Sequence, residues 1–342
     1  MASSSRWSYI PLEGVIAAAC CLGNVLVIWA VRTGGALRQP TFCFITALAV
    51  ADFLVGSAAI PLSVLVDIHL KISFHACVFM CCAFIMVKIV SVALLLAIAV
   101  DRFLRVYIPF RYKSTVTHKR SWMMVVLCWG IAAVWGYIPL FGWNDYTTLD
   151  RENQSSRNST SFECSFMTII PTSYLVNFIF FSSLLPSLVI MAGLYLYVFL
   201  TTRRQLRAHI GETPVSSTDY HKEHKLAISL ALVLVLICVC WLPLFIILTV
   251  RLYVRSIKVS SAIIHSGVVL SHVNSALNPI VYAFRIPKIK ETCVNLWRRF
   301  YHKEQLGNKH SDGADCNRGS NAKNISTILE GAVHTPAATH NS

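Results

Sequence analysis

Seven apolar stretches, near residues 10–32, 41–66, 77–101, 121–141, 172–200, 226–250 and 262–284, leave this chain one architecture. A run of about 20 apolar residues crosses the hydrocarbon core of a bilayer as an α-helix. Inside lipid every backbone N–H and C=O must be bonded internally, which a helix achieves within its own segment. The pattern therefore predicts an all-α membrane protein, a seven-transmembrane helix bundle over residues 10–285. Connections this short leave no room for a separate soluble domain. Composition agrees: 55% of the 342 residues are hydrophobic and only 13% are charged, against roughly 25% in soluble domains.

The net charge of +14 raises nucleic acid as a partner, but its distribution points elsewhere. With the amino terminus (residues 1–9) outside, 22 of the 30 Lys and Arg face the cytoplasm, 7 face outward and one, Lys88, lies within a span. That asymmetry is the positive-inside signal and sets the orientation. The basic side is read as meeting anionic lipid head groups and a cytoplasmic protein partner, with no nucleic acid. No cleavable signal peptide is visible, so the first span is expected to serve as its own signal. After the seventh span, residues 286–301 read as an amphipathic helix on the inner leaflet, with Leu296, Trp297 and Phe300 toward lipid. Cys293 in that stretch is a palmitoylation candidate. Residues 302–342 have the composition of a disordered cytoplasmic tail.

Of the 12 cysteines, most fall inside spans, where the thiol acts as a small apolar filler. Cys77, at the outer start of the third span, and Cys164, in the second outer loop, both face the oxidising side and are predicted to pair. The same loop holds Asn153-Gln154-Ser155 and Asn158-Ser159-Thr160, two N-glycosylation acceptor patterns.

Each span also carries polar or helix-distorting residues at odds with lipid. These are Asn24 in the first, Asp52 and Pro61 in the second, and Ser91 with Asp101-Arg102-Phe103 in the third. Trp129 and Pro139 follow in the fourth, Pro186 in the fifth and Cys240-Trp241-Leu242-Pro243 in the sixth. The seventh carries Asn274, Asn278, Pro279 and Tyr282. Polar residues in spans are expensive and usually line a functional interior. Singly, each has a structural reading, since prolines kink helices and buried amides tie neighbours together.

In this order and spacing the ensemble resembles the rhodopsin-like G-protein-coupled receptors, from Ile10 to Phe300. The resemblance implies a plasma-membrane, multi-pass receptor in which Asp101 restrains Arg102 at rest and Arg102 meets the G protein on activation. It implies that Trp241 lies beneath the ligand, that Pro243 lets the sixth helix swing and that Tyr282 belongs to the moving inner half of the seventh. Asp52, Ser91, Trp241, Asn274 and Asn278 match positions that hold a sodium ion in the family; a hydrated polar network without an ion is the alternative.

Finer motifs are similar to the adenosine receptors, in the branch that couples to inhibitory G proteins. They are Glu13 eleven residues before Asn24, Leu96-Ala97-Ile98-Ala99-Val100-Asp101-Arg102, Arg111-Tyr112-Lys113, Phe141-Gly142-Trp143-Asn144 and Ser271-His272-Val273-Asn274-Ser275. This implies that Glu13 hydrogen-bonds His272, that Ser271 and His272 hold a ribose and that Phe166 stacks on adenine. Glu13 and His272 as a purely structural pair remain the alternative. The chain departs from that pattern at three positions. Leu248 replaces the adenine-reading asparagine, Phe245 adds bulk one turn inward, and Lys88 replaces a ribose-facing threonine.

Lys88 lies three residues before Ser91, on the same helix face. Three placements stand open: inward against Asp52 in place of sodium, outward to an anionic ligand, or toward lipid or as a neutral amine. The expected agonist is adenosine or a related small molecule. The alternatives are a different, anionic ligand and constitutive activity with weakened sensing. Catalysis is not expected, because the sequence shows no metal-ligand spacing, phosphate loop or nucleophile–base pair. The seventh span holds no Schiff-base lysine for retinal, and internal repeats of the transporter kind are absent.

Overall fold

The computed structural model describes residues 9–33, 39–67, 71–144, 162–210, 217–254 and 256–285, with the single residues 291, 294 and 298. The expected seven-helix, all-α membrane architecture is the one observed. The first span is Ile10–Thr33. The second runs from Pro40 to Leu54, through a wide π turn at Val55–Ala59, and on as Ile60–Asp67. The third is Phe74–Tyr107 and the fourth His118–Gly136. The fifth begins as a π segment, Tyr174–Leu184, and continues as Leu185–Ile210; the sixth is Ser217–Tyr253 and the seventh Ser261–Arg285. They lie in one compact unit, Met1–Lys290. Residues 1–8, the acceptor asparagines Asn153 and Asn158, Cys293 and the tail over 302–342 lie outside the described residues. So does the expected amphipathic helix, apart from Glu291, Val294 and Arg298.

Local sequence accounts for the helix ends and bends. The Ser73 hydroxyl accepts from the Ala76 N–H at the start of the third span, and Thr117 does the same for Arg120 at the fourth. Each satisfies one of the orphan donors of a helix terminus. The two wide turns each sit next to a proline, Pro61 in the second span and Pro186 in the fifth. A proline removes one N–H and its ring crowds the carbonyl four residues back, so the helix locally widens. The residues four back are Ser57 and Ser182. Both turn their hydroxyls onto their own helix, to Phe53 and Phe178.

Among the described residues, five of the seven helices are long and apolar enough to cross a membrane by themselves. The fourth falls short because it opens on His118-Lys119-Arg120, the seventh because it carries His265, His272, Asn274 and Asn278. Packing supplies what their own hydropathy lacks. The third span is central and contacts the second, fourth and fifth; the first contacts the second and seventh, and the sixth lies between fifth and seventh. The ring is thereby closed.

Burial runs inside out relative to a soluble domain. Leu22, Val126, Val189 and Val239 are exposed, whereas Asn24, Asp52, Lys88, His272 and Asn274 are buried. A bundle with an apolar exterior and a polar interior suits lipid as its solvent. On the outer side, β1 (Lys71–Ile72) pairs antiparallel with β2 (Phe162–Glu163), and Cys77 is bonded to Cys164 with Cα atoms 5.7 Å apart. That disulfide, anticipated from the sidedness of the two cysteines, pins the outer loop to the head of the third span. It fixes the start of the short helix Phe166–Ile169.

Gly56 shows how closely the first two spans approach. A Cβ there would lie 2.6 Å from Cys20 Cβ and 2.8 Å from the Ala17 carbonyl oxygen. Gly56→Val must push the helices apart and is expected to cost about 1–3 kcal/mol. Thermal unfolding of the detergent-solubilised protein measures it, and an unchanged midpoint would contradict this packing.

Candidate functional site

The interior polar groups begin with Asp52, fully buried on the second span. Its carboxylate accepts from the Asn278 amide at 2.7 Å and from the Ser91 hydroxyl at 3.4 Å. One carboxylate thus joins the second, third and seventh spans. A buried charge is tolerated only when hydrogen-bonded or compensated, and this arrangement explains why the two amide-bearing turns of the seventh helix face inward. The donor set fits a sodium ion, since Asp52 and Ser91 offer the hard oxygen atoms that such cations take.

A second tie joins the first and seventh spans. His272 Nδ1–H donates to both oxygens of Glu13, at 3.1 and 2.9 Å, with both residues buried. Eleven residues further along the first span, the Asn24 amide donates to the carbonyls of Cys20 and Ser275. The two expected partners, Glu13 and His272, are therefore together.

Of the placements expected for Lys88, the pair with Asp52 is not the one observed, and burial excludes a lipid-facing side chain. Its ammonium turns toward the seventh span, donating to the Ser271 carbonyl at 3.1 Å and to the Ser271 hydroxyl at 3.3 Å. It also lies over the rings of Phe84, 5.8 Å from the centroid, and Trp241, 5.3 Å away. Among the described residues it makes no ion pair with Asp52. The reason is register: Ser91, one turn further in, meets the carboxylate, and Ser271 is the acceptor level with Lys88.

Aromatic contacts link this group to the outer loop. Phe166 meets Phe84 edge to face at 5.7 Å, and Phe84 in turn meets His272 at 5.8 Å. Trp241 stacks on Phe245, and Phe245 on Phe180 at 5.1 Å. Leu248, one turn outward from Phe245, is 2% exposed. Phe166, Phe84, Lys88, Ser271, His272, Trp241 and Phe245 are thus one connected wall under the disulfide-anchored loop. Phe84 and Phe180 did not emerge as candidates from the sequence. Phe84 carried a usable signal, because it precedes Lys88 by four residues and so shares its face.

The inner end holds a separate network. Asp101 accepts from the Tyr112 hydroxyl at 2.6 Å and from Thr41 at 2.8 Å. Arg105 donates to Thr41 and Tyr112 and packs on the Tyr112 ring. Burial, with Asp101 alongside, pushes the Tyr112 phenol above its ordinary pKa. Arg102 is partly buried beside this network and Tyr282 is buried on the seventh span. Phe103 stacks on Tyr107 at 5.1 Å, a contact that needs no hydroxyl.

Residues 23–282 match the pattern of the 7 transmembrane receptor (rhodopsin family). The chain is 38% identical over 293 residues to an adenosine receptor A3 of Canis lupus familiaris, covering 86% of this chain and 91% of that one. It is 38% identical to an adenosine receptor A3 of Bos taurus and 39% identical to one of Ovis aries. Each of those alignments covers 83% of this chain and 88% of the relative.

The Glu13–His272 tie has a measurable consequence. Glu13→Ala leaves a buried imidazole without its acceptor and is expected to cost about 3 kcal/mol. The double variant Glu13→Ala/His272→Ala should lose clearly less than the sum of the single losses, as measured by thermal unfolding. Strict additivity would show that the two groups do not interact.

Proposed function

This chain belongs to the rhodopsin family of seven-transmembrane receptors, in its adenosine-receptor group, and we propose that it reports extracellular adenosine to inhibitory heterotrimeric G proteins. It is a G-protein-coupled, multi-pass plasma-membrane receptor and not an enzyme. In our reading the amino terminus is extracellular, as the bias of Lys and Arg to the inner loops requires.

The observation that carries the ligand reading is the contact chain Phe166–Phe84–His272, closed beneath by Lys88 and Trp241. A purine ring stacks on an aromatic face such as Phe166, and the sugar then falls between His272 and Ser271. Both residues belong to the seventh span, so occupancy bears on the helix that also carries Asn278, Pro279 and Tyr282. Trp241 transmits the same event to the sixth span, where Pro243 interrupts the hydrogen-bond ladder and permits a hinge. At the inner face Asp101 and Arg102 complete the G-protein switch. A sodium ion held by Asp52 and Ser91 would offset the carboxylate charge and favour one packing of the second, third and seventh spans.

Leu248 sets the affinity in this reading. It offers no hydrogen bond where the resembling receptors read adenine with an asparagine. A site lacking that contact discriminates weakly between purines. One hydrogen bond is worth about 1.4 kcal/mol, or tenfold in affinity. Leu248→Asn should therefore lower the half-maximal adenosine concentration about tenfold, read as inhibition of cyclic-AMP production in transfected cells. A response to adenosine in neither protein, at matched surface expression, would remove adenosine as the agonist.

A second reading is favoured by Lys88 specifically: a receptor of the same fold whose ligand is a small organic anion.

A further inference from the structure

Three sulfur atoms meet where the outer loop joins the third span. Cys77 and Cys164 form the disulfide, and Cys81 is a free thiol four residues further along the same helix. All three Sγ atoms lie within 4.8 Å of one another. Helical spacing explains the cluster, since residues four apart share one face and Cys81 stands one turn inward of Cys77. Cys82 follows in sequence but lies further round the helix, outside this group.

Burial makes the trio a closed system. Cys77 and Cys164 are fully buried and Cys81 is 2% exposed. A thiol in solution has poor access to this disulfide, whereas Cys81 already lies against it. Exchange requires a thiolate to reach one sulfur of the bond, and a thiol held in place does so far more readily than a diffusing one. A disulfide brings its sulfurs to about 2.05 Å, so at most about 3 Å separates Cys81 from bonding to Cys164. Rotamer changes of the two cysteines span that gap.

We propose that Cys81 is a second anchor for Cys164, reached by thiol–disulfide exchange within the protein. The Cys81 thiolate attacks the Cys164 sulfur, and the Cys81–Cys164 bond forms as the Cys77–Cys164 bond breaks. Cys77 leaves as a thiolate and takes up the proton that Cys81 gave up. One disulfide and one thiol are present before and after, so the step consumes no oxidant or reductant. It moves the attachment of the outer loop one turn, about 5.4 Å, inward along the third span. Two contacts feel that shift. The pairing of Phe162 and Glu163 with β1 holds the loop outward and favours the Cys77 form. Phe166, two residues past Cys164, meets Phe84, three residues past Cys81. Re-anchoring draws Phe166 down the face that Phe84 occupies, so the roof of the aromatic wall has two heights. This holds whatever ligand the receptor binds.

Met80 makes the two anchors separable, because cyanogen bromide cuts after it and parts Cys77 from Cys81. Full-length receptor in detergent is held at about pH 8.5, where thiolate is available, then quenched and cleaved in acid without reductant. Mass spectrometry reads which fragment carries the Cys164 peptide. In wild type the expected result is a major linkage to the fragment ending at Met80 and a second linkage to fragment 81–86. Cys81→Ser should lose that second linkage by at least about tenfold. Cys77→Ser should carry Cys164 wholly on fragment 81–86. Wild type in which Cys164 stays entirely with the Met80 fragment overturns the exchange, whatever Cys77→Ser shows and whether or not that variant folds. A second linkage that persists in Cys81→Ser assigns it to Cys82 and overturns the proposal equally.

Discussion

The hydrogen bonds to Asp52 set the frame for everything else in this molecule. A single carboxylate, buried where lipid surrounds the bundle, accepts from the third and the seventh spans while standing on the second. Lipid cannot solvate it, so its partners come from neighbouring helices. Once Asn278 faces Asp52, the helical repeat carries Asn274 and Ser271 to the same interior, and His272 beside them reaches Glu13. The polar register of the seventh span is therefore dictated from within the bundle.

Rigid ties at the outer end and a looser middle follow from this arrangement. Cys77–Cys164 and the β1–β2 pair hold the outer loop against the third span, so Phe166 reaches Phe84 from a fixed base. Among the described residues, the sixth span meets the interior through the rings of Trp241 and Phe245. Stacked rings slide at lower cost than buried hydrogen bonds break. A receptor that must transmit occupancy inward needs that difference in stiffness. Pro243 puts the weak point of the sixth helix at the same level.

At the inner face, Asp101 is held by the Tyr112 and Thr41 hydroxyls, and Arg105 braces both. The Arg111-Tyr112-Lys113 segment was visible in the sequence as a family motif, but its bond to Asp101 was not. Eleven residues and a helix break separate the two groups, and only the fold of the Pro109–Thr115 helix closes that gap. Thr41, sixty residues away on the second span, gave no sequence signal of any kind.

The sequence by itself determined the helices and the disulfide, because these follow from hydropathy and compartment, which are properties of the chain and its solvent. It also marked Asp52, Asn278, Glu13 and His272, since a polar residue in a span has no lipid-facing use. Tertiary structure alone decided where Lys88 points. A long flexible side chain reaches several acceptors from one backbone position, and helical periodicity fixes only its face. The register of the seventh span against the third put Ser271 level with its ammonium and Asp52 one turn too deep.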